Sequence, residues 1–205
     1  MPWTWSNNPV MKISKHFAVF CLLPAILAIN ACSGLTQSDR PATNTWWLEP
    51  YTDMSGLPSS DPALLVAVSV TVVPGLDTDR ILTLSQKSQL NHYSGARWAD
   101  NLPELLTSMV TRTIQASPRF ELAAGGPEDC NLRLEVQEFF ALIGSSAATT
   151  AVSVAMEGQF HCGQNKPVSL KLNASVPISD DRMSAIVAAF QQAVDGVMRD
   201  MLERL

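Results

Sequence analysis

Between residues 64 and 73 large apolar side chains occupy every second position, Val66, Val68, Val70 and Val72, with Ala67, Ser69 and Thr71 between them. A period of two belongs to a strand with one buried face, and Pro74-Gly75 closes it. Residues 81–84 and 89–93 form two shorter strand candidates, joined by the polar Ser85-Gln86-Lys87-Ser88 in the manner of a hairpin. The period then changes. Leu102, Leu105, Leu106, Met109, Val110 and Ile114 fall on one face of an amphipathic helix. Asn101 with Glu104 has the form of a capping box, and Pro103 is tolerated in a first turn, where its missing N–H would lack a helical partner anyway. Ser117-Pro118 ends the helix, because proline disfavours helical geometry in the residue before it.

Phe120-Glu121-Leu122 reads as a brief strand entering the loop Gly125-Gly126-Pro127. Residues 131–143 and 151–160 are strand-like runs separated by Gly144-Ser145-Ser146-Ala147-Ala148, an antiparallel hairpin centred near Ser146. Val168, Leu170, Leu172 and Ala174 alternate with Ser169, Lys171, Asn173 and Ser175 in a final strand extending the same sheet. Helical spacing returns with Met183, Ile186, Val187, Phe190, Val194, Val197, Met198, Met201, Leu202 and Leu205, while Asp181, Gln191, Asp195 and Arg199 lie off that stripe. The pattern predicts an α/β fold over residues 62–205, a single domain with two main amphipathic helices.

The N-terminus follows a different logic. Lys12, Lys15 and His16 precede an apolar run over residues 17–29, and a small residue and a cysteine follow at Ala31-Cys32. A basic start, an apolar centre and a small-residue cleavage site make a secretory signal over residues 1–31, too short for a membrane-spanning helix of about 20 apolar residues. Trp3, Trp5 and Pro2 serve no signal, so Met11 is the more natural start. Ile29-Asn30-Ala31-Cys32 resembles the lipobox of bacterial lipoproteins, whose mature chain begins at an acylated cysteine, although Asn30 is an unusual occupant. Ser33 stands where an inner-membrane retention signal would place Asp, which implies sorting to the outer membrane of a Gram-negative cell. The alternative is an ordinary secretory signal with an incidental cysteine.

Counted from Cys32 the chain keeps 12 basic side chains against 19 acidic ones, a net charge of −7. Such a domain is a poor candidate for electrostatic binding of nucleic acid or of an anionic membrane surface. Residues 33–61 are rich in Ser, Thr, Pro, Asp and Gly and read as a tether behind Cys32. Within it Trp46-Trp47-Leu48-Glu49-Pro50-Tyr51 is too apolar for a linker. It reads as a docking segment, an edge strand lying on the domain; the other reading is an exposed partner-binding patch.

With Cys21 removed in the signal and Cys32 acylated, Cys130 and Cys162 are the free thiols of an oxidising compartment. A hairpin centred on Ser146 sets them opposite each other, at a separation that suits a disulfide. His161 beside Cys162 offers a metal site as the rival, with few ligands to complete it. No cofactor motif is present, and His92 and His161 lie outside any recognisable hydrolase pattern. Asp77, Asp79, Asp180 and Asp181 sit beside turns or helix starts, where capping and solvation explain them. The expectation is a protein that is not an enzyme.

Trp46-Trp47-Leu48-Glu49-Pro50, Val72-Val73-Pro74 with Leu76-Asp77, Ile81-Leu82, Gln89-Leu90 and above all Arg97-Trp98-Ala99-Asp100-Asn101-Leu102 resemble the ABC-type transport auxiliary lipoproteins, the PqiC/YmbA-like family. The resemblance implies a mixed-sheet α/β domain similar to the N-terminal domain of TolB. It also implies an outer-membrane lipoprotein facing the periplasm that works with an MCE-domain protein of an intermembrane lipid-transport system, as a ring of copies in one version. In that role Arg97 and Trp98 have the composition of an interface hot spot. The favoured alternative is that Trp98 packs at the strand-to-helix corner while Arg97 pairs with a nearby acid. A structural envelope lipoprotein and a periplasmic lipid-binding carrier are the rival functions.

Overall fold

The structure is a computed structural model that describes residues 43–85, 88–125, 127–145, 148–178 and 180–205. The expected leader, Cys32 and the first part of the tether lie outside the described residues. A compact unit runs Ala42–Leu205. Its strands are β1 (Asn44–Trp46), β2 (Leu64–Val72), β3 (Arg80–Ser85), β4 (Leu90–Trp98), β5 (Phe120–Leu122), β6 (Cys130–Ile143), β7 (Thr149–Cys162) and β8 (Val168–Pro177). Helix α1 (Leu102–Ala116) follows β4, and α2 (Met183–Arg204) ends the chain.

One mixed sheet of eight strands results, organised around β6. β7 pairs antiparallel along one edge of β6, and β8 pairs antiparallel with β7. The other edge of β6 is shared. β2 lies parallel to residues 130–136, and β3 lies parallel to residues 141–143. The sheet therefore forks beyond β6, with β2 and β5 on one branch and β3, β4 and β1 on the other. Both helices cover the same side, α1 over β2 and β5, α2 over β7 and β8.

The strand alternation explains which side that is. Cys130, Leu132, Leu134 and Val136 of β6 are buried beneath the helices, whereas Arg133 and Glu135 face solvent. A register shift between Val136 and Glu138 then changes the phase, so that Phe139 and Ala141 point inward. An extra residue in one strand does this, since a slip of one position moves every later side chain to the other face. The hairpin register expected from Ser146 holds from Cys130–Cys162 to Val136–Met156 and runs one residue off from Glu138–Ala155 to Leu142–Ala151.

Two expectations require correction. Asn101 makes no side-chain cap. The Leu102 N–H, a first-turn donor without a helical partner, donates to the Thr78 carbonyl at 3.1 Å instead. β4 does not stop at Tyr93 but continues to Trp98, through Gly95 at φ +73° and a register shift opposite Arg80 and Leu82. Glycine tolerates that left-handed backbone, so Ser94-Gly95 is a bulge rather than a turn. The segment before β2 lies against the folded unit. β1 pairs parallel with β4, Leu48 and Tyr51 are buried, and Met54 and Leu57 pack on the core. The strand itself is Asn44–Trp46, and the rest of the docking segment attaches by side chains.

Candidate functional site

The corner between β4 and α1 gathers the residues singled out by sequence. Trp98 ends β4 with 1% of its surface exposed. Its ring meets Phe139 of β6 edge-on at 5.8 Å and Phe190 of α2 edge-on at 5.1 Å, while Phe139 and Phe190 stack at 4.9 Å. Trp98 thus ties one branch of the sheet to its centre and to the C-terminal helix. Buried in this way it presents nothing to a partner, and the packing alternative describes it.

Arg97, one residue earlier, faces the other way. Its Nη1 lies 3.7 Å from Asp79 Oδ2, and its Nε donates to Thr45 Oγ1 at 3.5 Å. Asp79 also stands 3.7 Å from Nε of Arg80, the β3 residue opposite Arg97. Both arginine side chains are about half exposed (49% and 50%), where such pairs add little to stability. The Asp79 backbone does more: its carbonyl accepts the Trp98 N–H at 2.7 Å, and the Trp46 carbonyl accepts the Ala99 N–H at 2.8 Å.

Residues 46–51 cross α2 and are clamped there. The Glu49 N–H donates to Gln191 Oε1 at 2.8 Å, and Gln191 Nε2 donates back to the Glu49 carbonyl at 2.9 Å. Arg199 donates to the Tyr51 hydroxyl at 3.1 Å and lies over the Tyr51 ring, 5.6 Å from its centre. Gln191 and Arg199 lie off the apolar stripe of α2, and this is their purpose. Gln191→Ala is expected to cost about 1 kcal/mol, the net worth of such hydrogen bonds. Hydrogen exchange at the amides of residues 46–51 should accelerate while α1 and β6 stay protected; unchanged exchange there would show that Leu48 and Tyr51 alone hold the segment.

The side of the sheet away from the helices is polar. A depression of about 330 Å³ is lined by Glu128, Asn131, Arg133, Gln159 and His161. A second of about 360 Å³ includes Glu135, Glu157 and Lys171, with Lys171 Nζ 3.5 Å from Glu157. Among the described residues no group of three His, Cys, Asp or Glu side chains is placed to hold a metal. Cys130 and Cys162 are joined in a disulfide with Cα atoms 4.0 Å apart, which removes both sulfurs from any ligand set beside His161. The Tyr93 hydroxyl lies 2.5 Å from Thr149 Oγ1, and burial raises its pKa above that of an ordinary phenol. Tyr93 therefore stays protonated at neutral pH. Among the described residues no helix is long and apolar enough to cross a membrane.

The reading favoured from sequence packs Trp98 at the strand-to-helix corner and pairs Arg97 with an acid, and the structure places Trp98 in the core and Arg97 beside Asp79. Trp47 is read only as part of the 46–51 segment, whose second reading is an exposed patch; its side chain is 51% exposed. A signal for Trp47 existed. Thr45 contacts Arg97 outside, Trp46 packs inward, and Leu48 is fully buried, so the alternation puts Trp47 out.

A crystal structure of a Xanthomonas campestris protein of the DUF330 family is similar to this chain with a TM-score of 0.67 and 20% identity, covering 78% of this chain and 92% of the other. An uncharacterised protein of known structure gives a TM-score of 0.63 at 14% identity, covering 80% and 98%. These neighbours define the mixed α/β fold, and the fold is described by them rather than by TolB. No curated protein matches. The family of ABC-type transport auxiliary lipoprotein components matches residues 48–202, a span that starts in the clamped segment, includes the Trp98 corner and the disulfide hairpin, and ends in α2. The chain belongs to that family.

Proposed function

We propose that this protein is a non-enzymatic outer-membrane lipoprotein that docks the outer end of an MCE-type lipid conduit. The observation that carries this reading is family membership over residues 48–202. It is supported by Cys32 standing directly after an apolar run and a small residue, with a short polar stretch between it and β1. The mechanism is positional. Acyl chains on Cys32 fix the chain at the membrane, the stretch before β1 limits its reach, and the folded unit supplies the protein-binding surface. The depressions on the open side of the sheet are shallow and lined by charged and amide side chains as well as Pro167, Leu134 and Leu170, so neither is an apolar cavity shaped for an acyl chain, which favours docking over lipid carriage.

The test is a pull-down from membranes with the native chain and with Cys32→Ala, followed by mass spectrometry of the bait's N-terminus and of its partners. The native chain should carry fatty acyl groups on Cys32 and bring down an MCE-domain protein. Cys32→Ala should leave the membrane fraction and lose that partner. An unmodified Cys32 would overturn the lipoprotein assignment, and an acylated chain without the partner would move the reading to a structural envelope lipoprotein.

A further inference from the structure

Trp47 is the most exposed of the large apolar side chains described, at 51% against 42% for Leu90 and Val168. Its neighbourhood is specific. β1 lies parallel to β4 with Thr45 opposite Arg97, and Arg97 lies opposite Arg80 of β3. Alternation puts Thr45, Trp47, Arg97 and Arg80 on one outer face. Among the described residues Asp79 is the carboxylate within ion-pair distance of the two guanidinium groups, and Glu49, exposed two residues beyond Trp47, follows on the same alternation.

The chain itself says what this face meets. β1 is the first element described, and Asn44 is only twelve residues from Cys32. Even fully extended, that stretch spans no more than about 40 Å, so an acylated Cys32 keeps the β1 edge close to the bilayer. An indole prefers the level of the lipid headgroups, where its apolar ring and its N–H are both satisfied, and guanidinium groups pair with phosphates. We infer that the outer face formed by Thr45, Trp47, Arg97 and Arg80 rests on the anchoring membrane, with Trp47 among the headgroups and Arg97 and Arg80 against phospholipid phosphates. The inference depends on the reading of Cys32 as acylated. The acyl chains supply the affinity; the patch sets which side of the domain faces the bilayer and so which side is left for the conduit. This local contact is compatible with the acidic net charge because attachment does not rest on electrostatics.

The acylated chain, purified and reconstituted into vesicles of phosphatidylethanolamine and phosphatidylglycerol, tests this by flotation and by tryptophan quenching with brominated phospholipid. Downstream of Ala31 the tryptophans are Trp46, Trp47 and Trp98, of which the last is buried. Trp47→Phe should float as the native chain does but lose about two-fold or more of the lipid quenching, as removal of an interfacial indole requires. Arg97→Gln with Arg80→Gln should reduce quenching while flotation and the folded-state spectrum stay unchanged. A chain that floats with quenching unaffected by Trp47→Phe would overturn the orientation while leaving the anchor intact. A chain that does not float would remove the anchor and the orientation together. Equal quenching in vesicles, combined with capture of Trp47 by cross-linking to a protein, would assign the patch to that protein instead.

Discussion

Trp98→Ala is expected to cost about 3–5 kcal/mol of folding stability, the range for truncating a large buried aromatic. The indole is 1% exposed and contacts Phe139 and Phe190 edge-on, so its loss leaves a hole where β4, β6 and α2 meet. A cavity there cannot close easily. β4 is held to β3 and β1 by its ladders, and the Trp98 N–H is fixed to the Asp79 carbonyl. Against a typical domain stability of about 5–15 kcal/mol such a loss brings the fold close to its limit. Urea unfolding followed by far-ultraviolet circular dichroism reads it, with Trp98→Phe expected to recover part of the loss. A midpoint unchanged within error in the alanine variant would show that Trp98 is not the junction described.

Replacing Cys130 and Cys162 together by alanine is expected to cost a further large amount, about 3–4 kcal/mol for a closed loop of this length in the chain-entropy view. The two residues are 32 apart in sequence and cross-strand partners at the open end of the β6–β7 hairpin. Cys130 is buried and adjoins the branch carrying β2, so the bridge also fixes the end of the strand around which the sheet is organised. The native chain in reductant should unfold at the lower urea midpoint of the double variant, and reductant should leave the double variant unaffected. Equal midpoints for the native chain with and without reductant would contradict the stabilising role.

What could be read from sequence followed from how regular each signal is. The apolar stripes of α1 and α2 and the alternation of β2 and β8 are long and uninterrupted, and the structure places those elements within a residue or two of the expected bounds. The end of β4 was hidden because Ser94-Gly95 has turn composition, and only the pairing across β3 shows that the glycine carries a bulge. The phase change after Val136 was hidden for a similar reason. Gln137 and Glu138 are two polar residues in succession, which interrupts alternation without saying on which side it resumes. Residues 33–61 read as a tether because turn-forming residues dominate them, with the apolar residues 46–51 as a docking segment within it. Their attachment depends on Gln191 and Arg199, 142 and 148 positions away, contacts to which local periodicity is blind. At the candidate site the adjacent Arg97 and Trp98 pointed to the right corner, but strand alternation sends them to opposite faces, and the surface aromatic beside Arg97 is Trp47.

The proposed role rests on a physical partner in the envelope. The most direct measurement is photo-cross-linking in intact cells of the full chain, anchored at Cys32 and carrying the cross-linker at exposed positions of β6 to β8 such as Glu135 and Asn173. Docking requires recovery of an MCE-domain protein from at least one of these positions, and loss of the adduct in Cys32→Ala. Adducts confined to peptidoglycan or to other envelope proteins, with no MCE-domain protein at any position, would contradict it.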